Sequence, residues 1–403
     1  MKRHPLLLLA SLLWSASMHA QESPRTWTSA DGRTITATLV SINGDSVRIT
    51  LENGSPADVP VTSLSPGDQD YLKSWVKNRM ASSSSASNAF DKDLPPYEGP
   101  RAEKEWPRTM SLDDKAEASA TVEDDEKREF RYETEHYEFW CDSKLGTNLV
   151  REFSRIFEAT YQLNCILPLD FKPRPERLRT KFLARIFTEK SDYMDEGAVP
   201  GSAGVYMSGK KALMLPLSSL GVKMVGSRVS IDYASQNYRT LIHEITHQMM
   251  NHWLGRLPTW YIEGSAEYVE LADYSRGKFS FIRHDDNLKE RLSRYGAEFP
   301  MVPLKKLLEI QGAEWSEALS SDEVNVNYPS ALALTYYFYH LDGEGDGAGM
   351  MAFLRAVENL ERPNREAVDS LVREHLLRGR EIPQLEDDFT KALRKLGIRI
   401  TFG

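Results

Sequence analysis

The chain has 403 residues, of which 41% are apolar and 27% charged, ordinary values for a soluble globular protein with room for two or three domains. A net charge of −9 speaks against nucleic-acid binding, which needs clustered Lys and Arg to neutralise phosphates. At the N-terminus Lys2 and Arg3 precede an apolar run from Leu6 to about Trp14, then small residues to Ala20. That order reads as a signal peptide, residues 1–20, too short to span a bilayer. Cleavage after Ala20 leaves an exported chain, periplasmic or extracellular, with no transmembrane span; an uncleaved anchor is the alternative. No cysteine follows the apolar run to carry a lipid, and Cys141 and Cys165 are the only two in the chain. Cys141 ends the strand-like run HYEFWC and Cys165 ends a helix-like one, so a strand-to-helix disulfide and two buried free thiols both fit.

Residues 23–78 read as all-β. Ile35, Ala37 and Leu39 alternate in one run and Val47, Ile49 and Leu51 in another, with Asn43-Gly44 and Asn53-Gly54 at the expected turns. Short strands so closely spaced suit a small barrel better than a sandwich. Arg25 to Leu72, with Trp27 and the ending Leu64-Ser65-x-x-Asp68-x-x-Tyr71-Leu72, resembles the SH3-like homology domain first described in a yeast actin-cytoskeleton adaptor. The resemblance implies binding of an unknown ligand, and a spacer that positions the rest of the chain is the plainer reading.

Residues 79–129 change character. ASSSSASNAF is of low complexity, LPPYEGP is punctuated by Pro and Gly, and DDKAEASATVEDDEK is acidic and polar. Their composition predicts a linker, with Trp106-Pro107 as a point that can pin to a domain surface. From 130 to 403 the elements return. YETEHYEFWC is strand-like, and LVREFSRIFEATYQL puts Val150, Phe153, Ile156, Phe157 and Tyr161 on one helical face. TKFLARIFT, AGVYMS and KALMLPL are strand candidates, the last two joined by a turn at Ser208-Gly209-Lys210. Beyond Arg228 the pattern is almost all helical, so the fold class is α+β, a small sheet followed by a mostly helical half.

The segment LIHEITHQMMNHWLGRLPTWYIEGSAEYVE carries the chemistry. Tyr238 to Leu254 reads as a helix, with Ser235 available as N-cap and Gly255 as its stop. Ile242, Ile245, Met249 and Trp253 form its apolar stripe, and His243 and His247 stack one turn apart on an adjoining face. Two imidazoles so placed reach one metal ion, and Glu244, about 100° round the helix, sits where it can take a proton from a water held by that ion. Chance produces His-Glu-x-x-His in a chain this long about once in a hundred sequences. The continuation adds weight: Pro258 and Thr259 open a second helix, Glu263 supplies a third ligand, and a fourth position stays open as in catalytic zinc sites. Glu267 and Glu270, on the same face as Glu263, are candidates to orient a ligand histidine. Among the other histidines, His284 beside Asp285 reads as a surface residue.

His243-Glu244-x-x-His247 with Trp260-x-x-Glu263-Gly264-x-x-x-Tyr268-x-Glu270 resembles the gluzincins, the thermolysin-like metallopeptidase superfamily, nearest the branch with the aminopeptidase-type Trp-x-x-Glu-Gly signature. A group of secreted bacterial gluzincin-like domains is similar from about Tyr132 onward. The resemblance implies one Zn²⁺ per chain on His243, His247 and Glu263, with Glu244 as general base and a protein or peptide as substrate. Two departures leave open whether cleavage is internal or terminal. The spacer from His247 to Glu263 is fifteen residues against the eighteen usual in the aminopeptidases, and their Gly-x-Met-Glu-Asn motif is absent. Hydrolysis also needs a donor for the developing oxyanion, and Tyr328, before Pro329 at a predicted helix start, is the candidate. The expectation is an exported zinc metallopeptidase; the alternatives are a zinc-holding binding or scaffold protein and a hydrolase of a non-peptide envelope amide.

Overall fold

The computed structural model describes residues 24–74, 105–198, 202–231 and 238–403, apart from 44–45, 52, 54, 73, 113–116, 177–178, 203, 208, 221, 226–227, 313 and 316–325. The signal-peptide residues 1–20, Ser235 and most of the expected linker lie outside the described residues. The chain divides into two compact units, Met1–Asp70 and Tyr71–Gly403.

In the first unit four strands, β1 (Arg25–Thr28), β2 (Thr34–Asn43), β3 (Ser46–Leu51) and β4 (Pro56–Pro60), form an antiparallel meander in chain order. The alternating residues Ala37, Leu39, Val47 and Ile49 are all buried, together with Trp27, whose indole N–H donates to the Ala37 carbonyl at 3.1 Å. Asp68 explains the polar ending of this unit. Its carboxylate accepts from Arg25 at 2.6 Å, from the Thr28 amide at 2.7 Å and from Ser65 Oγ at 3.0 Å, tying the end of the unit to its first strand. Asp68→Ala removes a buried carboxylate that the half-buried Thr28 amide and Arg25 guanidinium both use. We expect a loss of about 2–3 kcal/mol, read as a lower midpoint for the transition that exposes Trp27 in urea unfolding of the full chain.

The second unit opens with β5 (Thr109–Ser111), then β6 (Ser119–Asp124), β7 (Glu129–Glu133) and β8 (Tyr137–Cys141). This corrects the expected extent of the linker: residues 109–111 and 119–124 are strands. Polar composition hid them, because β6 is the outer strand of its sheet and keeps most side chains in solvent. It also resolves YETEHYEFWC into a hairpin rather than one strand. Glu158 clamps the turn, accepting from Thr134 Oγ1 at 2.6 Å and from the His136 amide at 2.9 Å.

Helix α1 (Thr147–Ile166) crosses over to β9 (Phe182–Phe187), which pairs parallel with β8. Its predicted face is buried against the sheet, and Phe153, Ile156 and Phe157 each contribute about 1.5–3 kcal/mol by leaving water. After α2 (Lys190–Asp195), β10 (Val205–Met207) and β11 (Ala212–Pro216) form the expected hairpin, completing a six-stranded sheet in the order β10-β11-β9-β8-β7-β6. Strand β10 is therefore an outer edge. Cys141 and Cys165 are both buried and not bridged to each other, so the disulfide candidate is not realised; burial pushes the Cys141 thiol pKa up, keeping it protonated.

A second hairpin, β12 (Val222–Val225) with β13 (Arg228–Ile231), leads into α3 (Tyr238–Met249) and α4 (Thr259–Leu271). Helix α3 stops five residues short of the expected Leu254. The Met250 amide, shared between the Thr246 and His247 carbonyls at 3.1 Å each, marks the tightening that ends it. Strands β14 (Asp273–Ser275) and β15 (Lys278–Ser280) pair with each other and then with β5. Helices α5 (His284–Ser293), α6 (Leu304–Glu309), α7 (Asn327–His340), α8 (Ala348–Glu358), α9 (Arg365–Leu371) and α10 (Ile382–Lys395) make the helical half. The short pair β16 (Phe299–Met301) and β17 (Ile400–Phe402) closes the chain. The architecture is α+β. Trp106 is pinned as expected: its ring packs 4.7 Å from Tyr339 and 4.6 Å from His340, and its N–H donates to the Asp346 carbonyl at 3.1 Å.

Candidate metal centre

Two helices bring the chemistry together. Helix α3 is anchored by its apolar stripe, with Ile242, Ile245 and Met249 all buried, and by Gln248, whose amide donates to the Leu183 carbonyl of β9 at 2.8 Å. Helix α4 is locked against α7 at three levels. Tyr261 Oη and Tyr339 Oη are 2.7 Å apart, and Tyr268 Oη is 2.8 Å from His340 Nε2. Between them lies Gly264, where an added Cβ would sit 2.2 Å from Thr335 Oγ1 and 2.5 Å from the Ala331 carbonyl oxygen. The glycine of Trp-x-x-Glu-Gly is thus a packing requirement, because only a missing side chain lets the two backbones approach this closely. Glu263, next to Gly264 in the chain, is carried on this closely packed helix.

His243 Nε2, His247 Nε2 and Glu263 Oε2 form a triangle with sides of 3.0, 3.3 and 3.3 Å. Ligand atoms at about 2.0–2.1 Å from a tetrahedral zinc lie about 3.3–3.4 Å apart, so the group fits a small divalent cation with little adjustment. The chemistry of the donors agrees. Two imidazole nitrogens meet a carboxylate that can only accept when ionised, and one shared cation would satisfy all three lone pairs at once. The three atoms therefore make a His/Glu group able to hold a metal ion.

Behind this triangle, His243 Nδ1 is 3.2 Å from Glu270 Oε2 and 3.9 Å from Glu267 Oε1. An acceptor there keeps a proton on Nδ1 and frees the Nε2 lone pair for a metal. Both acids are buried, Glu267 at 6% and Glu270 at 8% exposure, which removes the alternative of a solvated acidic face. By spacing alone His243, Glu267 and Glu270 would also suit a cation, but that place is taken by Arg291, which donates to Glu267 at 2.8 and 3.2 Å. His247 differs, since its Nδ1 is buried with no hydrogen-bond partner among the described residues.

The electrostatics favour added positive charge. Burial opposes ionisation of His243, yet its hydrogen bonds to Glu263 and Glu270 outweigh that and raise its pKa well above the ordinary value. Burial also works against Glu263, but the charge of His247 and the hydrogen bonds from both histidines hold it down at about 2. Glu267, buried and facing the charge of Glu270, is pushed up to about 7 in spite of Arg291. Arg291 faces Glu267 and Glu270, while Glu263 faces the two histidines, where a divalent cation could take the place of their protons.

Glu244 stands beside the triangle, half-buried, with burial the main cause of its raised pKa and the two histidines opposing it. The edge strand β10 runs beside it. A backbone hydrogen bond from Tyr206 reaches the carboxylate, and a Cβ on Gly204 would lie 3.2 Å from Glu244 Cγ and 2.5 Å from Leu215 Cδ2. Tyr328 also borders the group, its ring 6.0 Å from that of His243 and 5.2 Å from that of Trp315. Burial, then the charge of Glu263, keeps its hydroxyl protonated. Tyr328 lies within the first turn of α7 rather than at a cap before it, as Val326 holds the cap position. Pro329 is tolerated there because first-turn amides have no helical acceptor to lose.

The sequence reading placed His284 at the surface, and the structure buries it at 4% exposure between Tyr268 and Phe281, away from the histidine triangle. It overlooked Arg291 altogether. The only signal for it was a basic residue on an amphipathic helix, which names no partner. Comparison of the chain with protein-family models, with curated proteins and with solved structures finds no match in any of the three.

Proposed function

We propose that this chain is a zinc-dependent metallopeptidase, exported by its N-terminal segment and carrying an SH3-like binding module ahead of a gluzincin-like domain. The observation that carries the reading is the triangle of His243, His247 and Glu263 with an ionisable Glu244 standing beside it. Mere zinc storage has no need of Glu244. His243, His247 and Glu263 would hold the ion, which supplies Lewis acidity toward a water and a carbonyl oxygen when bound.

The protein's own residues do the rest. Glu244 accepts the proton of the attacking water and returns it to the leaving nitrogen; its raised pKa suits a group that must release the proton again. Tyr328, held protonated, donates to the carbonyl oxygen as negative charge gathers there. The outer edge of β10, which pairs with no further strand among the described residues, offers backbone groups other than the Tyr206 amide to an extended peptide, which would add as a further strand beside Glu244. Glu270 keeps the Nδ1 proton of His243 in place throughout.

The test is metal analysis of the purified chain together with digestion of a peptide library. The expected result is about one zinc per chain, with cleavage that stops on chelation and returns with Zn²⁺. Stoichiometric zinc without cleavage of any peptide would favour the scaffold reading, or an envelope amide as substrate. A chain without affinity for zinc would end the proposal.

A further inference from the structure

We propose that Arg291 is a positioning residue for the metal group, acting through Glu267 and Glu270 on the ligand His243; the inference rests on the metal-binding reading above. Arg291 belongs to α5, a helix that contributes nothing to the triangle itself. That helix is fixed independently of any metal. Leu288 and Leu292 are buried beneath it, and Asn287 donates to the Leu271 carbonyl and to Asp273 Oδ1, both at 3.1 Å, at the end of α4. Arg291 then donates from Nη2 to both oxygens of Glu267, at 2.8 and 3.2 Å, and sets Nη1 3.9 Å from Glu270 Oε1. Those two carboxylates face the same atom, His243 Nδ1.

The physical need is plain. Two ionised carboxylates one turn apart in a buried place repel each other, and each loses hydration without gaining a cation. Unassisted, one must rotate away or take up a proton that competes with the Nδ1 hydrogen bond. Arg291 eases that conflict: its Nη2 binds Glu267 while its Nη1 faces Glu270 Oε1, so the two arms of the guanidinium span both acids and Glu270 Oε2 holds the Nδ1 proton. The guanidinium thereby keeps the Nε2 of His243 directed toward His247 and Glu263.

Zinc affinity of the full chain, measured by competition with a chelating dye, tests this, with circular dichroism and thermal melting of each metal-free variant as the fold control. Arg291→Met should weaken zinc binding by about ten- to a hundredfold, the range found when the partners of metal ligands are removed. Arg291→Lys, which keeps the charge and loses the fork, should fall between it and the wild type. Glu267→Gln combined with Arg291→Met should recover a large part of the loss, because the repulsion that Arg291 relieves is then gone. Equal zinc affinity in the wild type and in a folded Arg291→Met variant would overturn the proposal. So would a loss that neither the lysine variant nor the double variant softens, since a purely structural prop behaves that way. If the wild type itself does not bind zinc, the underlying metal reading fails, which is a different result from wild-type binding that Arg291 does not influence.

Discussion

Replacing Glu244 with glutamine should lower peptide hydrolysis by about a thousandfold while zinc content and thermal stability stay near those of the wild type. Gln keeps the shape beside Gly204 and the contact with the Tyr206 amide, and removes only the capacity to carry a proton. The triangle of His243, His247 and Glu263 does not include Glu244, so the metal should remain. Paired measurements of zinc content and of kcat/KM on a peptide found by library digestion decide the matter. Activity that survives the substitution would remove Glu244 from the mechanism and leave the proton path unassigned.

The other large effect is expected at a residue with no functional group. Gly264→Val should destabilise the second unit by about 3 kcal/mol and weaken metal binding along with it. The first new carbon would meet a backbone carbonyl of α7 at 2.5 Å, and backbone cannot rotate away as a side chain can. Helices α4 and α7 must then separate, while the Tyr261–Tyr339 and Tyr268–His340 contacts on either side resist. Glu263, one residue away, moves with its helix. Urea unfolding and zinc competition on the same variant should report both losses together. A stable Gly264→Val variant with full zinc affinity would show that the helix spacing does not set the position of Glu263.

The centre was legible in the chain to the extent that its parts are local. His243, Glu244 and His247 lie on a single turn, and helical geometry alone sets where they point. Glu263, Glu267 and Glu270 likewise share one face of α4, so their order could be read before their neighbours were known. What was hidden depends on tertiary meetings. Arg291 comes twenty-four residues after Glu267, and only the docking of α5 on the end of α4 joins them. The requirement for glycine at 264 cannot be read without Ala331 and Thr335 opposite. Strand β6 escaped notice for another reason: an outer strand need not carry an apolar face, so the residues SATVED resemble a linker although their backbone is paired with β7. The buried thiols show the limit of counting, since an even pair of cysteines says nothing about whether their side chains meet.

The anchoring of Trp106 brings residues ahead of the apolar periodicity into the packing of the second unit. Its indole fills a place between Tyr268 on the helix of Glu263 and Tyr339 on the helix packed behind it, and β5 directly after it completes the sheet of β14 and β15. A fragment starting at residue 130, where the apolar periodicity resumes, would therefore lose a third strand and uncover an aromatic surface at the back of the centre. An autonomous form of this domain must reach back at least to Trp106, well ahead of the point where the recognisable motif pattern resumes.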